Sequence, residues 1–318
     1  MTSVTSVTSA PSVPPGPGES AATAVGPAAG ARSVGRHYRG ADITFGTRHG
    51  KNEQAAPAFE RILGARVTAP ADLDTDQFGT FTGDVTRRLA PIETARAKAQ
   101  LAMSTTGHRY ALASEASYGV LPGIGWTGHE EILLFIDGIR GWEIIEGYRT
   151  LVTPGTTRRV RDVVEISLDL THWGWPAQGL IVRPDAGDAV TGGGADMIKG
   201  ITDGAALAAA IDIAVQRSPT GLAVVEPDLR AHHNPTRRGV LTDLARRLAG
   251  RLGTVCAVCG SPGYGRADTV RGLPCRACGT LTDLIRADIH ACPSCPHRDA
   301  RPRAATSADP RYCPDCNP

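Results

Sequence analysis

Apolar residues recur along this chain with two different periods. At Ala41–Gly46, Ile43 and Phe45 fall on one side of an alternating pattern, which predicts a short strand. Pro57–Leu63 carries helical spacing and stops at Gly64. Pro91–Met103 is the clearest helix: Pro91 suits a first turn, Glu93 sits near its positive end, and Gly107 follows the last turn. Tyr110–Ser114, Glu131–Ile136, Trp142–Ile145, Val163–Leu170, Gly179–Val182 and Leu222–Val225 read as strands. Ala205–Val215, and a segment opened by Asn234-Pro235 and running through Leu248, read as helices. This order predicts an α/β core domain with a mixed sheet over residues 37–252.

Both ends break the pattern. Residues 1–36 repeat Thr-Ser-Val and then run through Pro, Gly and Ala. They offer too little apolar surface to offset the entropy of ordering, so a disordered low-complexity tail is expected. The segment has neither a basic start nor a leucine-rich stretch, so no signal peptide is expected. The longest tight apolar cluster, Ile132–Ile136, is strand-sized, and no membrane span is expected. After Gly253 apolar residues thin out and all eight cysteines appear. A segment so poor in apolar side chains needs a staple other than a hydrophobic core.

The cysteines form four Cys-x-x-Cys pairs: Cys256/Cys259, Cys275/Cys278, Cys292/Cys295 and Cys313/Cys316. Two such knuckles place four thiolates around one tetrahedral zinc, so residues 253–318 are expected to be a double zinc-ribbon domain with two structural sites. Gly260 and Gly279 follow the first two knuckles and allow a tight turn there. Disulfides are the rival reading, but a chain without a secretory signal is expected in the reducing cytoplasm, where structural disulfides are rare. Pairing in sequence order is favoured by the similar gaps, with an interleaved arrangement as the alternative. His290 and His297 lie beside the third pair as bystanders, since the sulfurs suffice. Closed four-cysteine sites leave no open coordination position for chemistry.

Charge adds a contrast. The 34 basic and 32 acidic residues nearly cancel, giving +2, which argues against a duplex-DNA binder driven by bulk charge. The tail is poor in aromatics, a weak signature for nucleic acid. Lysine is scarce: Lys51, Lys98 and Lys199 are the only three, and each falls in a candidate motif. Gly46-Thr47-Arg48-His49-Gly50-Lys51 is a glycine-bearing turn between strand and helix, a place where backbone amides and an ammonium meet phosphate, although it is not a P-loop. Glu93-Thr-Ala-Arg-Ala-Lys98 lies on the strong helix. Glu115 sits at a strand end, a usual place for a metal ligand or general base. Asp74 and Asp76 share a loop suited to a cation or to capping a turn. Trp173 and Trp175 in His172–Pro176 would point one way on a strand, as core packing or as a base-stacking surface. His232-His233 reads as plain loop.

The motif order Thr47-x-x-x-Lys51, Asp76-Gln77-Phe78-Gly79, Glu93-Thr94 and Glu115-Ala116, followed by Ile198-Lys199 and Thr236-Arg237, resembles that of the inosine/xanthosine triphosphatase family over about residues 41–250. Arg48 stands where those enzymes usually have asparagine. The whole chain also resembles a bacterial family of unknown function that carries a Gly-Thr-x-His-Gly-Lys motif, an Asp-Thr-Asp-Gln-Phe-Gly loop and a cysteine-rich tail ending Cys-Asn-Pro. The first resemblance implies a mixed-sheet nucleoside-triphosphate-pyrophosphatase-like core and a metal-dependent hydrolase. It implies that Thr47 and Lys51 hold phosphate, and that Glu93 and Glu115 hold magnesium or position the attacking water. Lys98, Lys199 and Arg237 would contact the triphosphate. The expected partner is a nucleotide or another phosphorylated small molecule, with a homodimer as the assembly. The alternative is a non-enzymatic module in which the core binds a nucleotide or partner and the zinc tail contacts protein or nucleic acid.

Overall fold

A computed structural model describes residues 4–5, 37–80, 85–121, 125–187 and 196–318. Its elements in order are β1 (Val4–Thr5), β2 (Asp42–Phe45), α1 (Asn52–Leu63), β3 (Arg66–Thr68), α2 (Pro91–Thr106), β4 (Tyr110–Val120), β5 (Thr127–Asp137), β6 (Trp142–Thr150), β7 (Arg158–Val160), α3 (Ser167–Trp173), β8 (Leu180–Pro184), β9 (Ile198–Ile201), α4 (Gly204–Arg217), β10 (Ala223–Pro227), α5 (Pro235–Gly253), β11 (Gly265–Arg271), β12 (Ile285–Ala291) and β13 (Arg298–Pro302). Apart from β1, the tail expected to be disordered lies outside the described residues.

The first sheet runs β1-β6-β5-β4-β2-β3. Its β2–β3 and β2–β4 pairs are parallel, while β4–β5 and β5–β6 are antiparallel, so the sheet is mixed, as the element order implies. Alternation along the strands divides the core. Leu112, Leu133, Phe135 and Ile144 meet Phe59 of α1 and Leu244 and Leu248 of α5. Ala111, Ala113, Ile132 and Leu134 meet Ala95 and Ala99 of α2. Alanine facing alanine lets α2 lie close to the sheet. A Cβ on Gly46 would stand 2.4 Å from the Lys98 carbonyl oxygen, so only glycine fits where β2 passes under α2.

A second sheet, β7-β10-β8-β9, is antiparallel throughout and packs on α4. Here two sequence readings are corrected. Val163–Leu170 is not a strand; Val164–Ile166 forms a 3₁₀ turn that runs into α3. The segment carries both periods at once. The helical set Ile166, Leu170 and Trp173 faces the core, while Leu168 of the alternating set is 87% exposed. Asp162 decides between them by accepting from the amides of Val164 and Glu165, and Glu165 accepts in turn from the Arg161 amide. Trp173 therefore ends a helix rather than sharing a strand face with Trp175. Both rings pack in the second core, and Trp175 Nε1 donates to the Ile201 carbonyl at 3.3 Å.

The tail forms a third sheet, β11-β12-β13, antiparallel throughout. It seats against β6 and the end of α5. Arg251 Nε donates to the Gly263 carbonyl at 3.2 Å, and a Cβ on Gly263 would meet Ile144 at 2.7 Å and Trp142 at 3.4 Å.

Candidate functional site

The chain turns sharply after β2 and exposes a cleft of about 110 Å³. Five stretches distant in sequence reach it: the Gly46–Lys51 turn, Thr75–Thr80 with Arg87, Lys98 of α2 with Glu115 of β4, Lys199 of β9, and Arg230–Arg237. Among the described residues its lining holds six basic side chains, Lys51, Arg87, Lys98, Lys199, Arg230 and Arg237, against the carboxylates of Asp76 and Glu115. Arg237 and Arg230 have carboxylate partners of their own, Glu131 and Asp228, which leaves Lys51, Arg87, Lys98 and Lys199 against Asp76 and Glu115, a balance that favours an anion.

The floor of the cleft is an ion-pair network. Lys98 Nζ lies 2.6 Å from Glu115 Oε2, and Arg87 Nη2 lies 3.2 Å from Glu115 Oε1. Arg87 is anchored by a second bond, Nη1 to the Ala116 carbonyl at 2.9 Å. Lys51 Nζ donates to the hydroxyl of Ser114 at 3.1 Å. Burial brings the Lys51 ammonium down to about 8, with neighbouring Arg237 adding to the effect. Arg237 is fully buried; its Nε and Nη2 grip both oxygens of Glu131, and Nη1 donates to the Leu229 carbonyl at 2.6 Å. Arg230 is held by Asp228 in the same manner.

The rim is made by the Asp74–Gly79 loop. Arg48 Nη1 bridges Asp74 and Asp76 at 3.4 and 3.1 Å, and His49 Nε2 lies 3.5 Å from Asp76. The two acids thus close a turn onto the glycine-bearing loop, the capping alternative of the sequence reading. His49 packs against His232 with ring centroids 4.7 Å apart, so the short turn that carries His232 and His233 lies next to the rim. Burial pushes the His232 imidazole down to about 4, His233 contributing, which keeps it neutral at pH 7.

Of the residues singled out from sequence, Thr47, Lys51, Lys98, Glu115, Lys199 and Arg237 come together here. Thr47 is buried and its Oγ1 accepts from the His49 amide, so it shapes the turn. Glu93 does not join them. It is exposed, and its Oε2 accepts from the Ala90 amide at the start of α2. Its helix-start position, legible in the sequence, makes it a cap instead of a ligand. Arg87, Arg230 and Glu131 were missed. Glu131 did leave a signal: it shares a strand face with Leu133 and Phe135, and a charge on an apolar face needs a buried partner.

Magnesium held by Glu93 and Glu115 does not fit these donors. One of the two carboxylates lies elsewhere, and the other already bridges two cations. Magnesium wants a near-octahedral set of oxygens, one or two of them from carboxylates.

The cysteines gather as two groups, Cys256, Cys259, Cys292 and Cys295, and Cys275, Cys278, Cys313 and Cys316, with all ligand atoms of a group within 4.8 Å of one another. Sγ separations run from 3.5 to 3.9 Å. Four sulfurs tetrahedrally placed about 2.3 Å from zinc would stand about 3.8 Å apart. The donor set therefore fits zinc. The pairing is interleaved, which corrects the sequence-order expectation. Antiparallel strands explain it: each seven-residue strand carries the chain roughly 20 Å, so odd knuckles meet at one end of the sheet and even knuckles at the other. Cys256 and Cys275 begin matching turns, in which Gly260 and Gly279 (φ 71° and 80°) donate back to the cysteine carbonyls at 2.9 Å. His297 Nδ1 lies 3.3 Å from Cys256 Sγ, outside the four-sulfur set.

This cysteine-bearing tail and the Lys98-to-Arg237 half of the cleft fall within a single family match, over residues 98–318. The chain belongs to the DUF6671 family, a domain of unknown function. The DUF6671 match begins at Lys98, so the Gly46–Lys51 turn and the Asp74–Gly79 loop precede it. No curated protein matches the chain. No helix among the described residues is long and apolar enough to cross a membrane.

Proposed function

We propose that the cleft binds the phosphate chain of a nucleoside triphosphate or related phosphorylated small molecule, and that Glu115 positions water for its hydrolysis. The observation that carries this reading is the convergence of Lys51, Arg87, Lys98, Lys199 and Glu115 in one cleft. The cleft is smaller than the roughly 300–1,000 Å³ of sites that enclose a whole ligand, so it suits the phosphates while the rest of the molecule lies across the rim. The motif order shared with the inosine/xanthosine triphosphatase family supports the same substrate class and a pyrophosphatase-like core. The zinc centres lie in the tail and staple it; they take no part in the chemistry.

A second reading, binding without hydrolysis, draws on the displaced Glu93 and on the pairing of both Glu115 oxygens with cations. The test is pyrophosphate release by the zinc-loaded full chain from a panel of standard and deaminated nucleoside triphosphates, with and without magnesium. Release that prefers one base and vanishes in Glu115→Gln is the expected result. Nucleotide binding with no release from any member favours the second reading.

A further inference from the structure

Glu115 is 4% exposed, yet it faces the cleft and not a sealed core. Its two oxygens are divided between Lys98 and Arg87, the arrangement that two oxygens of a phosphoryl group would adopt between the same cations. Of the two lining carboxylates, Asp76 is engaged at the rim by Arg48 and His49. Glu115 is left as the lining carboxylate that Lys98 and Arg87 share.

We propose that Glu115 is a resident counter-anion, which neutralises Lys98 and Arg87 until a substrate phosphate takes them over. This rests on the phosphate-binding reading of the cleft. Lys98 is buried, and a buried ammonium without a counter-charge is costly, so the empty cleft needs this carboxylate. The cations are also anchored independently of it. Arg87 is tied to the Ala116 carbonyl, and Lys98 rises from a helix turn packed against Gly46. Arg87 therefore keeps its place when the carboxylate yields, and the backbone that carries Lys98 stays fixed. An entering phosphate carries more charge than a carboxylate and can engage Lys51 as well, so the exchange favours it. The displaced carboxylate then lies beside the bound phosphate, where it can accept a hydrogen bond from water and position it.

The consequence is that Glu115 opposes binding while serving hydrolysis. The test is calorimetric titration of inorganic pyrophosphate into the zinc-loaded full chain in magnesium-free buffer. Glu115→Gln is expected to bind about tenfold more tightly than the wild type, or better, since the competing charge is gone. Unchanged or weaker binding by a folded Glu115→Gln, with the wild type binding, overturns the inference and leaves the phosphate site standing. No binding by either protein overturns the phosphate-site reading and the inference with it. Should Glu115→Gln not fold, Glu115→Asp draws the carboxylate back from Lys98, and tighter binding is again the supporting result, with equal or weaker binding the contrary one.

Discussion

Glu131 and Arg237 stand 106 positions apart in the chain and share two hydrogen bonds of 2.7 and 2.9 Å, with neither residue exposed. The pair ties the start of α5 to the middle of β5 and so fixes the wall of the cleft. Removing one partner leaves a buried charge unpaired. Arg237→Met is expected to lower stability by about 3–5 kcal/mol, measured by urea unfolding, and Arg237→Lys recovers little because an ammonium cannot grip both oxygens.

The same pair sets an acid limit. Burial alone would raise the Glu131 carboxyl, but Arg237, then His129 and Lys51, hold it at about 2, below its ordinary 4.5. A carboxyl depressed in the fold contributes stability above its unfolded value and loses it as pH falls through the folded one. The stability gap between wild type and Glu131→Gln is therefore expected to narrow from pH 4.5 toward pH 2 in unfolding measurements at stepped pH.

Lys51 provides the alkaline counterpart. With its ammonium brought down to about 8, it loses charge as pH rises through that value, and an anion in the cleft loses a partner. Arginine keeps its charge across this range. The pyrophosphate Kd of the wild type, taken relative to Lys51→Arg, is expected to rise above pH 8 and stay level below it.

Interleaved pairing makes a distinctive metal count. Cys256→Ser with Cys292→Ser strikes one centre and is expected to leave one zinc per chain by atomic emission. Cys256→Ser with Cys275→Ser strikes both centres and is expected to lower occupancy at each. Sequence-order pairing would reverse the two outcomes.

Much of this was legible in the sequence, for identifiable reasons. The α2 helix announced itself through Pro91 and Gly107, and the knuckle turns through Gly260 and Gly279. Scarcity of lysine marked Lys51, Lys98 and Lys199, which all line one cleft. The pairing order escaped because local spacing is the same in both arrangements, and only the strands between knuckles choose one. Arg87 escaped because no periodicity or neighbouring motif distinguishes it from the other arginines. Glu93 misled because a carboxylate near a helix start serves a cap and a ligand equally well on paper.

Gly46 joins fold to site. Gly46→Ala would press a methyl group against the Lys98 carbonyl and push α2 away from β2. A loss of about 1–3 kcal/mol is expected, together with weaker pyrophosphate binding as Lys98 shifts, read by thermal melting and calorimetry on one preparation.

The most direct test of the cleft as a phosphate site is pyrophosphate titration of the wild type beside Lys51→Met and Glu93→Gln, all zinc-loaded. The account predicts saturable binding by the wild type, a loss of about tenfold or more in Lys51→Met, and wild-type affinity in Glu93→Gln. Absence of binding by the folded wild type, or equal losses in the two variants, would contradict it.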